Sequence, residues 1–549
     1  MFSDEADDEN LEYDVSQSTA FLSRQRGRVG GQTFQSIMNR DRSAGHTYEQ
    51  ALIRTGYGRF HYKLLFLCGW AVASDSIEVL CVSFLLPSAE CDLKLTSIDK
   101  GWLNAIIFVG MMVGGYVWGA LADIQGRRAI LMFSLALNGL AALASSCSQT
   151  FWLFLLLRFF SGVGVGGSVP VIFSYFVEFQ PKDRRGRMIS LLATFWMGGN
   201  IIAAGLAWAV IPHKGLGYFS PEFTYDSWRI FIALCTIPSL TSALAFVLMP
   251  ESPKFLLMKG NDQEALKILN SIYLSTHKDL AGYEVKQLLA AKDDDREESD
   301  LVLLQRQGPC SRGCARAQIS FKKYLLKTKK LFTRPLARST VTLIFIQSSL
   351  AFGYYGLFLW FPELFKRMEE HGGSACDAAL YVGNKTVPLI PSNQTCGAPP
   401  DANVFFEGFL TAISTLPSNI FAILVMDKIG AKIILVISMG ISGLSVFFIW
   451  LVKNKTQGII MSCIFSGISN AGWSALDVLS VECFPTDVRS TAMGTGLLMA
   501  RIAAILGNLA FGALVDAQCA VPMLLVAALL CAGGFATLIL PNKRMQEID

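Results

Sequence analysis

The chain has 549 residues, of which 52% are hydrophobic and only 16% are charged. Soluble globular proteins carry about 25% charged residues, and the mean hydropathy of +0.42 is correspondingly high. A net charge of +4 gives no sign of a nucleic-acid partner. The composition therefore predicts an all-α membrane protein that crosses the bilayer several times.

Residues 1–50 are polar, mixed in charge and without an apolar stripe, which predicts a disordered tail. The acidic run within it offers a site for a cytosolic partner, although a solvated tail is the simpler interpretation. Apolar segments of about 20 residues, the length that crosses a bilayer, then recur. We predict twelve spans, six in 51–250 and six in 337–541, with a hydrophilic insert at 251–336 and a short tail at 542–549. The spans are 64–86, 101–122, 129–148, 151–176, 188–211, 229–249, 339–363, 404–426, 433–452, 458–481, 492–515 and 519–540.

The basic residues of the short loops lie mostly on one side of the predicted spans. This side, here called the arginine-rich face, contains the loops after spans 2, 4, 8 and 10 and carries Arg127, Arg128, Arg185 and Arg489. Short loops rich in lysine and arginine stay in the cytosol during membrane insertion. We therefore expect both termini and the insert 251–336 to be cytosolic.

The long loop 366–403 is predicted on the opposite face. It contains two N-x-T sequons, at Asn384 and Asn393, and two cysteines, Cys376 and Cys396. Glycans and disulfides are both allowed on the non-cytosolic side of a membrane. We expect this loop to carry the glycans and a disulfide between the two cysteines.

Two loop motifs occur once in each group of six spans, and they recur at one offset. The acids of the first motif are Asp123 and Asp427, those of the second are Glu178 and Glu482, and both 427 − 123 and 482 − 178 give 304. This repeat predicts two homologous six-helix halves that enclose a site near the middle of the membrane. The motif residues are Asp123, Gly126, Arg127, Arg128, Glu178, Arg185, Asp427, Gly430, Lys432, Glu482 and Arg489.

The acids and bases of these motifs predict a cytosolic gate formed by salt bridges between the two halves. An ion pair at the water edge contributes only about 0–1 kcal/mol, which suits a contact that opens and closes. A second interpretation is that the cations only hold the loops in the cytosol. Both interpretations can hold together.

Asp75 and Glu78 lie within the first apolar span and share one helix face, because they are three residues apart. A carboxylate inside a bilayer costs at least about 2.5 kcal/mol, and such groups mark ion or substrate paths unless they form structural pairs. The two acids are therefore candidates for proton coupling. A static pair between helices is the alternative.

Further motifs occur in the first half: R-x-x-x-G-x-G-x-G-G at 158–167, E-x6-R-G at 178–186 and P-E-S-P-K at 250–254. With G-x-x-x-D-x-x-G-R-R at 119–128, they resemble the sugar-porter and organic-ion branch of the major facilitator superfamily. Ile124 and Lys254 depart from that pattern, which has Arg at both positions. The stretches D-x-x-E at 75–78, L-P-S-A-E at 86–90 and A-L-D-V-L at 475–479 are similar to the synaptic vesicle glycoprotein 2 group. The loop 366–403 is too short for that group's large lumenal domain.

The resemblance implies the major facilitator fold and roles for named side chains. Asp75 is expected to pair with Arg158 across the cavity, so that separating them changes the affinity for a proton, and Glu78 is expected to relay it. Trp473 and Asp477, one helical turn apart, lean toward a neutral or cationic solute. The residues implied to line the substrate cavity are Phe173, Trp196, Tyr354, Tyr355, Trp473, Asp477 and Arg501.

The sequence thus predicts a secondary transporter of a small polar or organic solute, sugar or organic ion, that works by alternating access and is coupled to protons. No cofactor, metal-ligand spacing, nucleotide loop or catalytic nucleophile is evident, so an enzyme is not expected. The alternative is a vesicle protein whose transporter scaffold serves binding or trafficking. Vesicle and plasma membranes both remain open.

Overall fold

The computed structural model describes residues 46–540, except 214–217, 221–222, 372–400, 452–453 and most of 278–327. Both predicted glycosylation sites, Asn384 and Asn393, and both loop cysteines, Cys376 and Cys396, therefore lie outside the described residues. So do residues 1–45 and 541–549. Within the described residues the fold is almost entirely helical.

The helices are numbered in chain order, and two short antiparallel strands follow α6. The elements are α1 (Tyr48–Arg54), α2 (Arg59–Ala89), α3 (Ser97–Gln125), α4 (Arg127–Ser146), α5 (Phe151–Glu178), α6 (Arg185–Val210), β1 (Tyr218–Ser220), β2 (Phe223–Thr224), α7 (Ser227–Cys235), α8 (Ile237–Phe246), α9 (Pro253–Met258), α10 (Asp262–Thr276), α11 (Ala337–Phe358), α12 (Phe361–His371), α13 (Ala402–Ile429), α14 (Ala431–Leu451), α15 (Lys455–Glu482), α16 (Thr486–Leu514) and α17 (Ala520–Ile539).

Twelve helical segments of the described chain are long and apolar enough to cross a membrane, which confirms the predicted number of spans. Two of them differ in detail from the prediction. The sixth is divided into α7 and α8 at Thr236, just before Pro238. The seventh ends at Phe358 rather than at 363, and Pro362 lies in the first turn of α12, where a proline costs no intrahelical hydrogen bond.

The helix boundaries reproduce the internal repeat. The helices α5 and α15 begin and end at positions that differ by the same 304 residues as the loop motifs. The helices α3 and α13 each end at a glycine with positive φ, Gly126 at 108° and Gly430 at 91°. Only glycine adopts such a φ readily, and it lets the chain turn directly into the next helix. The two halves are therefore built from the same structural unit.

Helix packing is also equivalent in the two halves. In the first half, α5 packs on α3 and α4, and α2 packs on α6. In the second half, α15 packs on α13 and α14, and α11 packs on α16. The halves meet along α3 with α16 and along α6 with α13, which are equivalent contacts when the halves are exchanged. The centre between the halves is therefore bounded by equivalent helices from each side.

A small cluster covers the arginine-rich face of the first half. The apolar side of α1, with Ala51 and Leu52, packs against Leu256, Ala265 and Leu269 from α9 and α10. The helix α1 begins at residue 48, inside the segment predicted to be disordered up to residue 50. A reciprocal capping box before it, in which the Thr47 side chain accepts from the Gln50 backbone, explains this start.

Candidate functional site

A buried ion pair joins α2 and α5 in the first half. The guanidinium of Arg158 donates to Oε1 of Glu78, and the two side chains are 0% and 3% exposed. Ser161 Oγ lies 2.6 Å from the same carboxylate oxygen and 2.9 Å from Oδ1 of Asn138 in α4. Arg158 also contacts Sγ of Cys81 at 3.3 Å. Because the carboxylate is both paired and hydrogen-bonded, this network holds three helices together.

Asp75 lies apart from that pair. It is fully buried, its Oδ2 accepts a hydrogen bond of 2.7 Å from Ser168, and its Oδ1 has no hydrogen-bond partner within the described part of the chain. The expected pair between Asp75 and Arg158 is thus replaced by the pair with Glu78. The helices α2 and α5 are antiparallel. Glu78, which follows Asp75 in α2, therefore lies level with Arg158, which precedes Ser168 in α5.

Close helix packing positions this network. A Cβ atom at Gly162 would lie 2.4 Å from the carbonyl oxygen of Ile107 in α3, and one at Gly164 would lie 2.6 Å from that of Ser134 in α4. No real Cβ approaches a backbone oxygen so closely. The glycine run of α5, which in this context is typical of helix packing in membranes, therefore lets Arg158 and Ser161 reach their partners.

The second half carries an aromatic cluster at its boundary with the first half. The ring of Trp473 lies 5.9 Å from that of Tyr355 and 6.5 Å from that of Tyr354. Phe108 of the first half contacts Tyr355 at 5.0 Å. The indole Nε1 of Trp473 is buried and has no acceptor among the described residues. Three of the predicted cavity residues therefore come together, with one unused donor.

Arg501 crosses the boundary between the halves. Its Nη1 donates to the carbonyl oxygen of Met111, near the middle of α3, at 2.8 Å. Gly115 leaves room for the guanidinium, because a Cβ atom there would lie 3.3 Å from Nη1. No described carboxylate lies within ion-pair distance of Arg501. The centre of the protein thus holds a cation that has only a neutral partner.

Asp477 lines a pocket formed by α11, α15 and α16. The pocket encloses about 430 Å³, including its open mouth, and its polar wall consists of Thr340, Gln347, Asp477 and Ser480. The side chain of Asp477 is solvent-exposed within this pocket. No cation of the described chain forms an ion pair with it. An unpaired acid therefore lies one helical turn from Trp473.

The two first-half aromatics take other positions. The ring of Trp196 packs against the core that spans both halves, and its carbonyl accepts a 2.8 Å hydrogen bond from Ser76. Phe173 packs within the first-half core. Neither ring contacts the second-half aromatic cluster in the part of the chain described. Their predicted place in the cavity stays a prediction.

The first-half residues of the predicted cytosolic gate make contacts within their own half. Arg127 pairs with Asp123 at 3.1 Å and with Glu178 at 3.3 Å. Arg128 donates to the carbonyls of Phe246 and Val247. Arg185 pairs with Glu49 of α1 at 3.1 Å.

The second-half residues of this gate do the same. Lys432 donates to the carbonyls of Leu538 and Leu540, and Arg489 donates to that of Phe484. The side chain of Glu482 shows no cross-half contact among the described residues, and that of Asp427 lies outside the described atoms. The predicted salt bridges between the halves are therefore not formed by the described residues. The contacts found between the halves all lie further from the arginine-rich face, from the level of the middle of α3 to the opposite face.

A charge cluster with a buried centre, Lys100 and Glu363, joins the halves on that opposite face. Lys100 Nζ, at the start of α3, lies 2.6 Å from Oε1 of Glu363 in α12 and 3.1 Å from Glu90. Arg367 lies 3.1 Å from Glu363 and 2.9 Å from Asp516. We call Glu90, Lys100, Glu363, Lys366, Arg367 and Asp516 the opposite-face cluster.

This cluster was not predicted from the sequence. The available signal was the spacing of Glu363, Lys366 and Arg367, which places them on one side of a helix. Burial by itself raises the pKa of Glu363, but the nearby cations Lys100, Arg367 and Lys366 outweigh it and hold the pKa at about 2. The carboxylate therefore stays charged at any physiological pH.

The fold and these sites define a class. It is a multi-pass membrane protein of two repeated six-helix halves, with charged side chains inside its membrane-spanning helices, which is the architecture of secondary transporters.

Comparison with known proteins agrees with this class. The model of a family described as "Sugar (and other) transporter" matches residues 46–366. Synaptic vesicle glycoprotein 2C of Rattus norvegicus is 33% identical over 91% of this chain and 81% of its own length. Synaptic vesicle glycoprotein 2B of Homo sapiens is 31% identical over 92% of this chain and 86% of its own.

A solved structure shares the fold. The inward open conformation of the xylose transporter XylE from E. coli has a TM-score of 0.61 at 14% identity, covering 88% of this chain and 98% of that one. The chain therefore belongs to the sugar (and other) transporter family of the major facilitator superfamily, and the synaptic vesicle glycoprotein 2 proteins are its relatives. The resemblance and fold class predicted from the sequence are confirmed.

Proposed function

We propose that this protein is a secondary active transporter that moves a small polar or organic solute by alternating access, coupled to protons. One observation carries the proposal: the halves are joined by buried charges on the opposite face, whereas the described motif residues of the arginine-rich face contact only their own half. A midplane site closed on one side only is one state of an alternating-access cycle. The arrangement supports a cavity that is open toward the arginine-rich face.

Asp75 is the proposed proton carrier. Glu78 is already neutralised by Arg158, and Ser161 adds a further hydrogen bond, so protonating Glu78 would leave a buried guanidinium without its partner. Asp75 has a single hydrogen bond, from Ser168, and one free oxygen. Protonation and deprotonation therefore disturb fewer hydrogen bonds and ion pairs at Asp75 than at Glu78. Glu78 and Arg158 then serve to hold α2 against α5.

Uptake into liposomes with and without a pH gradient tests this assignment. We expect a gradient to drive uptake by the natural chain and not by the Asp75→Asn variant. Asp183→Asn, in the exposed loop after α5, is the matched control, and its uptake should still depend on the pH gradient. If Asp75→Asn transports with an unchanged dependence on the gradient, Asp75 is not the proton carrier.

The arginine-rich face is proposed to be cytosolic, together with residues 1–50, 251–336 and 542–549. Cys519, on the opposite face just before α17, is disulfide-bonded, which supports a non-cytosolic location for that face. The names of the relatives support a vesicle membrane.

Treatment with a glycosidase should increase the electrophoretic mobility of the natural chain but not that of an Asn384→Gln/Asn393→Gln variant. Equal mobilities before and after treatment of the natural chain would contradict glycosylation there.

The names of the relatives also favour the second candidate function, a vesicle protein that acts through its tail. Deletion of residues 1–45 separates the two. If the deletion leaves solute flux intact but abolishes the cellular phenotype, the tail acts independently of transport. If flux and phenotype persist together, the transporter function accounts for both.

A further inference from the structure

We propose that the solute is a zwitterion whose anionic end binds Arg501 and whose cationic end binds Asp477. The inference rests on the proposed transport function and names the chemical class of solute for its central site. The sequence alone favoured a neutral or cationic solute, because that prediction was based on Trp473 and Asp477. The structure adds a cation at the same site.

The argument begins with two opposite charges that are not used by the protein itself. Arg501 donates to the Met111 carbonyl, and Asp477 faces its pocket; no described residue of opposite charge pairs with either one. An unpaired charge within a membrane helix is costly, and it marks a substrate or ion path by default. The buried pairs Glu78–Arg158 and Lys100–Glu363 show that this chain pairs charges where they serve structure.

The two charges belong to one site but do not reach each other. The ring of Tyr355 connects them: it packs against Trp473, one helical turn from Asp477, and against Ala500 and Ala503, which flank Arg501 in the chain. Gln347, Asp477 and Gly496 line one pocket, and Arg501 follows Gly496 by five residues, so its Cα lies about 8 Å further from the arginine-rich face. No ion pair joins Arg501 and Asp477 among the described residues, so the two charges stay beyond ion-pair distance of each other. A solute that carries its charges several bonds apart spans such a gap.

The neutral groups of the site fit the same orientation. Trp473 packs with Tyr355 and with Ala500 and Ala503, the neighbours of Arg501 on α16. Its buried Nε1 lacks an acceptor among the described residues. The indole therefore offers a second unused donor next to Tyr355, and both donors suit a carboxylate. Toward Asp477, the pocket offers the oxygen atoms of Gln347, Thr340 and Ser480 to an ammonium group.

A neutral solute leaves both charges without a partner, and a singly charged solute leaves one. A zwitterion satisfies both and adds no net charge to the membrane interior. Electrostatic complementarity thus selects it over its singly charged analogues.

The test uses the purified full-length protein and its thermal stability, because a ligand that binds the folded state raises that stability by mass action. The probes are linear ω-amino acids of three to six carbons, each compared with the carboxylic acid and the amine of the same chain length. We expect at least one amino acid to stabilise the protein at a tenfold lower concentration than both of its analogues. If none does so, or if neutral sugars stabilise the protein equally well, the inference is overturned.

Variants assign the two ends. In Asp477→Asn, the best amino acid should become no better than the matched carboxylic acid, and in Arg501→Gln no better than the matched amine. Arg501→Lys keeps the charge and should keep the preference, which separates loss of binding from loss of folding. Asp183→Asn and Arg59→Gln, both at exposed positions, are the matched controls. A preference that survives both Asp477→Asn and Arg501→Gln contradicts the proposed orientation.

The same probes separate this inference from the proposed function. If liposomes take up a neutral sugar but no ω-amino acid, the transporter proposal stands and the zwitterion inference fails. If the amino acids stabilise the protein but no solute crosses the membrane, the site is correct and the transporter proposal fails.

Discussion

Glu363→Gln tests whether the opposite-face cluster keeps the protein in the conformation described. Lys100 and Glu363 are 1% and 3% exposed and lie 2.6 Å apart, so the substitution leaves a buried ammonium without its main partner. Breaking a buried pair costs about 3–5 kcal/mol. Lys100 keeps a 3.1 Å contact with the partly exposed Glu90, so we take the lower end, about 3 kcal/mol. Because this pair joins the halves, the loss falls on this conformation alone and changes the ratio of the two conformations more than 100-fold.

The assay is the labelling of a cysteine introduced at Leu497, which lines the pocket and is 45% exposed. Labelling is read by mass spectrometry of the peptide, so the native cysteines do not interfere. With Glu363→Gln we expect labelling of Leu497→Cys to slow at least tenfold as the opposite conformation gains population. Glu369→Gln is the matched control, since Glu369 of the same helix pairs with Lys455 within the second half. Equal labelling rates in Glu363→Gln and the natural background would refute the reasoning.

Three further predictions follow from the same contacts. The pKa of Glu363 is depressed to about 2, so its stabilising contribution is complete above the ordinary pKa of about 4.3 and is lost only as the pH falls toward 2. Because thiol labelling itself accelerates with pH, the labelling rate of Leu497→Cys in the natural background is divided by its rate in the Glu363→Gln background at each pH. This ratio should be constant from pH 5 to 7.5, and a steep change in that range would contradict the pairing. Glu78→Gln should lower the free energy of unfolding by about 3–5 kcal/mol, and Glu78→Gln/Arg158→Gln should cost less than the sum of the two single variants, as measured by denaturant unfolding; strict additivity would show that the two groups do not interact. Gly430→Ala should destabilise the protein by about 1–3 kcal/mol, because residue 430 has a positive φ. Gly126→Ala should destabilise it by more, because the added Cβ would also meet the Glu251 carboxylate at 2.4 Å. Equal melting temperatures for the two variants would contradict the crowded turn at Gly126.

The sequence was sufficient for the architecture because its signals are local and repeated. Apolar runs of spanning length define the helices, and the offset of 304 residues between the loop motifs relates the two halves. The turn glycines Gly126 and Gly430 could be identified because each lies within a recurring motif. Helix breaks were harder to predict. The end of α11 at Phe358 depends on Pro362, which lies inside an otherwise continuous apolar run.

The partners of charged side chains could not be predicted from the sequence. Arg158 pairs with Glu78 and not with Asp75 because of the relative register of α2 and α5, which spacing along one helix does not determine. Lys100 and Glu363 are 263 residues apart in the chain and meet only when the two halves dock. The predicted cytosolic gate stays a prediction, since contacts between the halves depend on the conformation and not on the motif alone.

Solute-driven proton movement tests the central claim most directly. Liposomes that contain the protein and an internal pH-sensitive dye are exposed to each solute of a panel of ω-amino acids, sugars, organic cations and organic anions, with no imposed gradient. The account predicts that at least one solute causes a saturable pH change inside the liposomes, and that Asp75→Asn abolishes this change while still binding the solute. If a solute stabilises the natural protein but neither the solute nor protons cross the membrane, the protein is a binding scaffold and the transporter account is wrong.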